Sequence, residues 1–179
     1  MTKFLYYAYG SNMLTERLKA RCSSALPVGI AFRQGLAIAF SKRSVDGSGK
    51  ATLLPQSDPA SLAWGVLFEV DASEGSALSK AEGRDYEQVE NFEVALDVSG
   101  GKRRARTYLA RRGSLDPGLR PYDWYLELVV AGSRQHGLPA AYAERLRQVE
   151  ALPDPEPKRK GRLEAIALLN GLGVTHGLV

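Results

Sequence analysis

The sequence predicts an α+β fold in which an N-terminal sheet of about six strands, closed or strongly curled, is covered by helices. Two patterns predict it. Apolar runs of strand length fill the first two thirds of the chain, and the last third repeats with the period of a helix. The bulk numbers agree: 179 residues, 44% hydrophobic and 25% charged, suit one domain whose core needs no covalent staples.

Taken in order, residues 4–9 (FLYYAY) are apolar on both faces, with Phe4, Tyr6 and Ala8 opposite Leu5, Tyr7 and Tyr9, which predicts a central strand. SNMLTERLKARC (11–22) then repeats helically through Leu14, Leu18 and Cys22, with Ser11 or Asn12 placed to cap it. VGIAFRQGLAIAF (28–40) reads as a strand with Gly35 as a bulge, and VDGSGK (45–50) as a turn or loop. ATLLP (51–55) and WGVLFEV (64–70) follow as strands. DASEGSALSKAEG (71–83) predicts a short helix capped by Asp71 or Ser73 and ended by Gly83. NFEVALDV (91–98) alternates like a half-buried strand, SGGK (99–102) turns, and RRARTYLA (103–110) returns.

PYDWYLELVVAGSRQHG (121–137) has Pro121 at a helix start and Gly132 or Gly137 near its end. LPAAYAERLRQVEAL (138–152) has Pro139 in a first turn and a stripe of Tyr142, Leu146 and Val149. PDPEPKRKG (153–161) reads as a linker, and RLEAIALLNGLG (162–173) as a small terminal helix. The expected organisation is one domain over 1–152 and a linker with a C-terminal tail over 153–179.

Composition narrows the function classes. A single cysteine, Cys22, allows no intrachain disulfide and no multi-cysteine zinc site, and the two histidines, His136 and His176, lie far apart in sequence. No metal and no cofactor are expected. No apolar run reaches the ~18 residues of a membrane helix, and no cleavable leader is evident, so the expected location is cytoplasmic. The net charge is +4, concentrated in 102–112 and 157–162. Such runs can bind phosphate backbones, but these read as solvated faces, and no nucleic-acid partner is expected.

The informative stretch is the corner Tyr9-Gly10-Ser11-Asn12, where a strand turns directly into a helical pattern. Glycine lets backbone approach a ligand closely, and the first N–H groups of a helix have no partner within it and attract anions. By itself the corner reads first as a plain cap and turn, and as a binding loop only second. The chain resembles the gamma-glutamylcyclotransferase family, which includes the AIG2-like proteins. The resemblance rests on Tyr9-Gly10-Ser11-Asn12 followed by LTER (14–17), then WGVLFEV, AEG at 81–83, TYLA at 107–110 and GSRQHGLPAAYAERL at 132–146.

The resemblance implies a small mixed β-barrel of about six strands flanked by helices, with a site at one mouth. It implies that Glu82 is a catalytic acid/base and that Tyr86 and Tyr125, rather than Tyr122, line the pocket with the corner residues. The implied reaction is intramolecular aminolysis: the α-amine of a γ-glutamyl group attacks its own γ-carbonyl and releases 5-oxoproline. The substrate carries its own nucleophile, so Ser11 is not expected to be one. Arg17 and Arg33 could pair a substrate carboxylate, although surface positions are expected for both. The expected partner is therefore a small-molecule γ-glutamyl substrate, for a monomer or homodimer. Asn12, where the glutathione-specific branch usually carries leucine, argues against strict glutathione specificity. The rival reading is a ligand-binding or regulatory protein that keeps the same pocket without catalysis.

Overall fold

The computed structural model describes residues 2–97 and 100–178. It has seven strands: β1 (Lys3–Ala8), β2 (Leu26–Gln34), β3 (Leu36–Arg43), β4 (Gly49–Pro55), β5 (Leu62–Asp71), β6 (Tyr86–Leu96) and β7 (Lys102–Ala110). Five helices accompany them: α1 (Thr15–Lys19), α2 (Gly75–Glu82), α3 (Asp123–Gln135), α4 (Ala140–Arg147) and α5 (Lys160–Gly171). Val98 and Ser99, where one expected strand end and the start of the expected 99–102 turn fall, lie outside the described residues.

Five strands close a barrel in the order β1-β5-β2-β6-β7. β1 runs antiparallel to β5 (Phe4 opposite Val70, Ala8 opposite Val66) and meets β7 in parallel at Tyr6 and Arg106, which makes the barrel mixed. The two-faced apolarity of β1 thus has its cause, because the strand is covered on both sides. Tyr7, Val66, Leu67, Phe68 and Val70 are fully buried, and Leu18, Leu128, Leu146 and Leu169 reach the same core from the helices. The phenol of Tyr7 donates to the Ala63 carbonyl at 2.7 Å, which satisfies its one polar atom inside that core.

The expected mixed barrel flanked by helices is present and closes with five strands, while β3 and β4 form a separate two-stranded sheet. Side chains occupy positions where β4 would otherwise meet the barrel: Thr52 Oγ1 accepts the Ala110 N–H at 3.0 Å, and the Ala51 backbone is bonded by two tyrosine hydroxyls. Gly35 is not a bulge within one strand. Its φ of +77° turns the chain out of the barrel between β2 and β3. Finally, neither Ser11 and Asn12 nor Asp71 and Ser73 cap a helix through their side chains; each segment opens with a 3-10 turn, Ser11–Met13 and Ala72–Glu74.

α3 is the central helix, buried from Trp124 to Leu126 and again from Leu128 to Ser133. α5 adds Ala165 and Leu169 to the core. Between α4 and α5, the buried Asp154 accepts the Trp124 indole N–H at 2.8 Å and Arg159 Nε at 2.7 Å. Burial pushes this carboxyl up, but the Arg159 bond and the donors around it outweigh that and hold it below its ordinary value. Its stabilising contribution is present above the ordinary carboxylate range and is lost as pH falls through the depressed value. Asp154→Asn is expected to cost about 1–2 kcal/mol, read as a lower Tm at pH 7 and a smaller difference at acid pH.

Candidate active site

The site begins where β1 ends. Tyr9 anchors the corner by donating its hydroxyl to the Tyr108 carbonyl. Gly10 follows, and a Cβ there would stand 3.1 Å from the Ala51 Cβ and 3.5 Å from the Tyr125 hydroxyl, so the close approach of β4 and α3 leaves little room for a side chain. Ser11 and Asn12 are buried in the 3-10 turn. Their side chains do not cap it because they are engaged elsewhere. Ser11 Oγ accepts Arg17 Nε at 3.1 Å, and Asn12 Oδ1 accepts Arg21 at 2.7 Å.

Glu82 reaches the corner from the last residue of α2, whose end is set by Gly83 at φ +84°. The Asn12 amide donates to Glu82 Oε1 at 2.6 Å, and the Tyr6 hydroxyl donates to the same oxygen at 3.2 Å. The second amide hydrogen of Asn12 meets the Tyr6 oxygen at 3.1 Å, so the three groups form a closed triangle. Arg21 stands 4.0 Å from the carboxylate, whose side chain is 14% exposed. Burial raises the Glu82 pKa above its ordinary value, against the opposing pull of Arg21, Tyr6, Arg17 and Lys42.

A small pocket of about 40 Å³ opens over this triangle, lined by Tyr6, Tyr9, Tyr86, Tyr108 and Tyr125 together with Gly10, Ser11, Asn12, Arg21, Ala51 and Glu82. Burial holds the five phenols above their ordinary values, so they are neutral hydrogen-bonding groups at neutral pH. Two of them are fixed by one residue. Ala51 gives its N–H to the Tyr125 hydroxyl at 3.1 Å and accepts the Tyr86 hydroxyl on its carbonyl at 2.6 Å. Among the described residues no group of three or more His, Cys, Asp or Glu side chains is arranged to hold a metal ion.

All seven residues singled out from the sequence, Tyr9, Gly10, Ser11, Asn12, Glu82, Tyr86 and Tyr125, line this one cavity. Tyr122 does not; its hydroxyl donates to the Asp46 carbonyl at 3.0 Å. Arg33 is on β2 and bonds the Glu93 carbonyl at 3.0 Å. Arg17 is not a surface residue. It is partly buried beside Ser11, and burial, with Arg21 nearby, lowers its pKa to about 10. The sequence reading missed Tyr6, Arg21, Ala51 and Tyr108. Nothing in the sequence set Tyr6 apart from Tyr7, the other tyrosine of β1. Ala51 carried none, since it acts through its backbone.

The short amide bond from Asn12 favours the ionised carboxylate. Asn12→Ala is therefore expected to move the acid limb of any Glu82-dependent activity to higher pH and to lower the plateau about tenfold. A pH profile of the variant beside the parent chain checks both effects.

Comparison with known proteins places the chain among relatives. Residues 63–146 match the model of the AIG2-like family. The chain is 32% identical over 152 residues to the gamma-glutamylcyclotransferase of Homo sapiens, covering 82% of this chain and 79% of that protein, and the protein of Bos taurus matches equally. A solved gamma-glutamyl cyclotransferase structure superposes with a TM-score of 0.81 at 28% identity, over 93% of this chain and 99% of the other.

Proposed function

The chain belongs to the gamma-glutamylcyclotransferase family of enzymes, and from that premise we propose that it releases 5-oxoproline from a γ-glutamyl amino acid, peptide or amine, with Glu82 as acid and base. The observation that carries this reading is the meeting of the Glu82 carboxylate with the corner, at 2.6 Å from the Asn12 amide and under a roof of tyrosines.

The chemistry follows from that arrangement. A γ-glutamyl group in the cavity holds its α-amine and γ-carbonyl in the same molecule. Folding it to bring the two together can supply about 7–11 kcal/mol through orientation alone. Glu82, with a pKa raised by burial, takes a proton from the α-ammonium. The freed amine attacks the γ-carbonyl, the carbon–nitrogen bond of the five-membered lactam forms, and negative charge develops on the γ-oxygen. The N–H groups of Ser11 and Asn12 open a helical turn and so lack an acceptor within it. One well-aimed donor of this kind is worth roughly 3–4 kcal/mol. The intermediate collapses by breaking the original γ-amide bond as Glu82 gives its proton to the departing nitrogen, and Glu82 then carries the second surplus proton from the attacking nitrogen to the freed amine, so that the lactam keeps one N–H and the leaving group departs as an ammonium. No water is consumed.

Asn12 favours substrates other than glutathione alone, and the breadth from amino acid to amine is set by what the cavity mouth accepts. The test is release of 5-oxoproline from glutathione, a γ-glutamyl amino acid and a γ-glutamyl amine. Product from any of them supports the reading and ranks the leaving groups. Tight binding of all three without product would instead favour a ligand-binding protein built on the same pocket.

A further inference from the structure

Behind the cavity wall lies a group the reaction above does not use. Lys50, the residue before Ala51, places its ammonium 4.6 Å from the ring centre of Trp124, 4.7 Å from that of Tyr125 and 5.8 Å from that of Tyr122. It also contacts Asp46 Oδ2 at 2.7 Å and Ser48 Oγ at 2.7 Å, and its side chain is 14% exposed. Burying a lysine this far is costly unless the charge is well used. Asp46 satisfies part of that charge, and three aromatic faces satisfy the rest.

One of those faces is special. Tyr125 turns its ring toward Lys50 and its hydroxyl toward the cavity, beside Gly10. The hydroxyl oxygen accepts the Ala51 N–H and also meets the Ser11 side chain, whose hydroxyl can donate to it, which leaves the phenol's own proton to point into the site. A cation held against the face of a phenol draws electron density from the ring and its oxygen, which makes the O–H a stronger donor. The low polarity of a buried site keeps that effect from being screened. Edge-on contacts from Phe40 and Trp124 hold the ring in place.

We propose that Lys50 is a positioning residue that acts through Tyr125, fixing the phenol ring and polarising its hydroxyl so that it donates to the charge developing in the site. The kinetic part of this rests on the cyclisation reading above; the spectroscopic part does not. The experiment compares the parent chain with Lys50→Met/Asp46→Asn, which removes both charges and leaves neither unpaired, with Lys50→Arg, and with Asp46→Asn alone. Each is assayed for 5-oxoproline release, and each is labelled at tyrosine Cζ for NMR, the Tyr125 signal being identified by its loss in Tyr125→Phe.

The double variant is expected to lose about tenfold in kcat with KM within about twofold, and its Tyr125 signal to move. Lys50→Arg restores both, and Asp46→Asn, which keeps the cation, retains both. An unmoved Tyr125 signal in the folded double variant, a rise in KM with kcat unchanged, or a loss in Asp46→Asn equal to that of the double variant would overturn the proposal. If the parent chain makes no 5-oxoproline, the functional reading falls, and the position of the Tyr125 signal alone decides the role of Lys50.

Discussion

Glu82→Gln is expected to lose about a thousandfold in kcat, within the range that general acid–base catalysis commonly supplies, while remaining folded. Glutamine has the same shape, and its carbonyl oxygen can still accept from Asn12 and Tyr6, the two groups bonded to Oε1. What the variant lacks is the ability to take up and return a proton. In the parent chain, activity should fall as pH drops through the raised Glu82 value, because the base is then protonated. The residual activity of the variant should show no such limb. Stability should move the other way. The unfolded carboxyl titrates near 4.5 and the folded one higher, so between the two the native state binds more protons, and stability declines as pH rises through that interval. Glutamine carries no such cost. The Tm of the variant should therefore match the parent chain near pH 4 and exceed it at pH 7. Assays of 5-oxoproline release and melting curves across that range check the prediction, and a fully active variant would remove Glu82 from the mechanism.

How much of this was legible in the sequence depends on whether the signal was local. β1 and the corner were legible because two-faced apolarity and a glycine between strand and turn are local properties. The α+β class and the helical last third follow from periodicity and held. The departure of β3 and β4 from the barrel was not legible. It depends on contacts between distant residues, such as Tyr86 and Tyr125 on the two sides of the Ala51 backbone, which no local pattern encodes. Asn12 shows the same limit more sharply. Asparagine at the start of a helical segment is what a capping residue looks like, and it is equally what an amide donor to a carboxylate 70 positions away looks like. Only the fold distinguishes the two. Glu82 and the corner meet because α2 ends beside the end of β1, and nothing in AEG by itself says where its carboxylate points.

Gly132→Ala is expected to cost about 3 kcal/mol, at the upper end for an overpacked position, and to lower kcat/KM about a hundredfold in the molecules that still fold. Of the two glycines that the sequence offers near the end of this helix, Gly137 at φ +65° follows it, and α3 continues through Gly132 to Gln135. The role of Gly132 is spatial. A Cβ at residue 132 would sit 2.5 Å from the Leu14 nitrogen and 2.8 Å from both the Met13 carbonyl carbon and its Cβ. Two of these three atoms are backbone, so no flexible side-chain end can swing away, and the helix and the corner must separate. That separation bears on the site because α3 carries Tyr125 and the corner carries Asn12, both of which line the cavity. A shift of about an ångström is enough to spoil the alignment of an amine with its carbonyl. For a chain of this length the stability loss corresponds to roughly 6–12 °C in Tm. Gly171→Ala is the control. It adds the same methyl to α5, where a Cβ meets nothing within 4 Å, and it should leave Tm and activity within error of the parent chain. The assay belongs at low temperature, where both variants remain folded, so that a kinetic loss in Gly132→Ala reports a displaced site rather than unfolded protein. A Gly132→Ala chain that melts and turns over like the control would mean that α3 can yield at this contact without disturbing the corner.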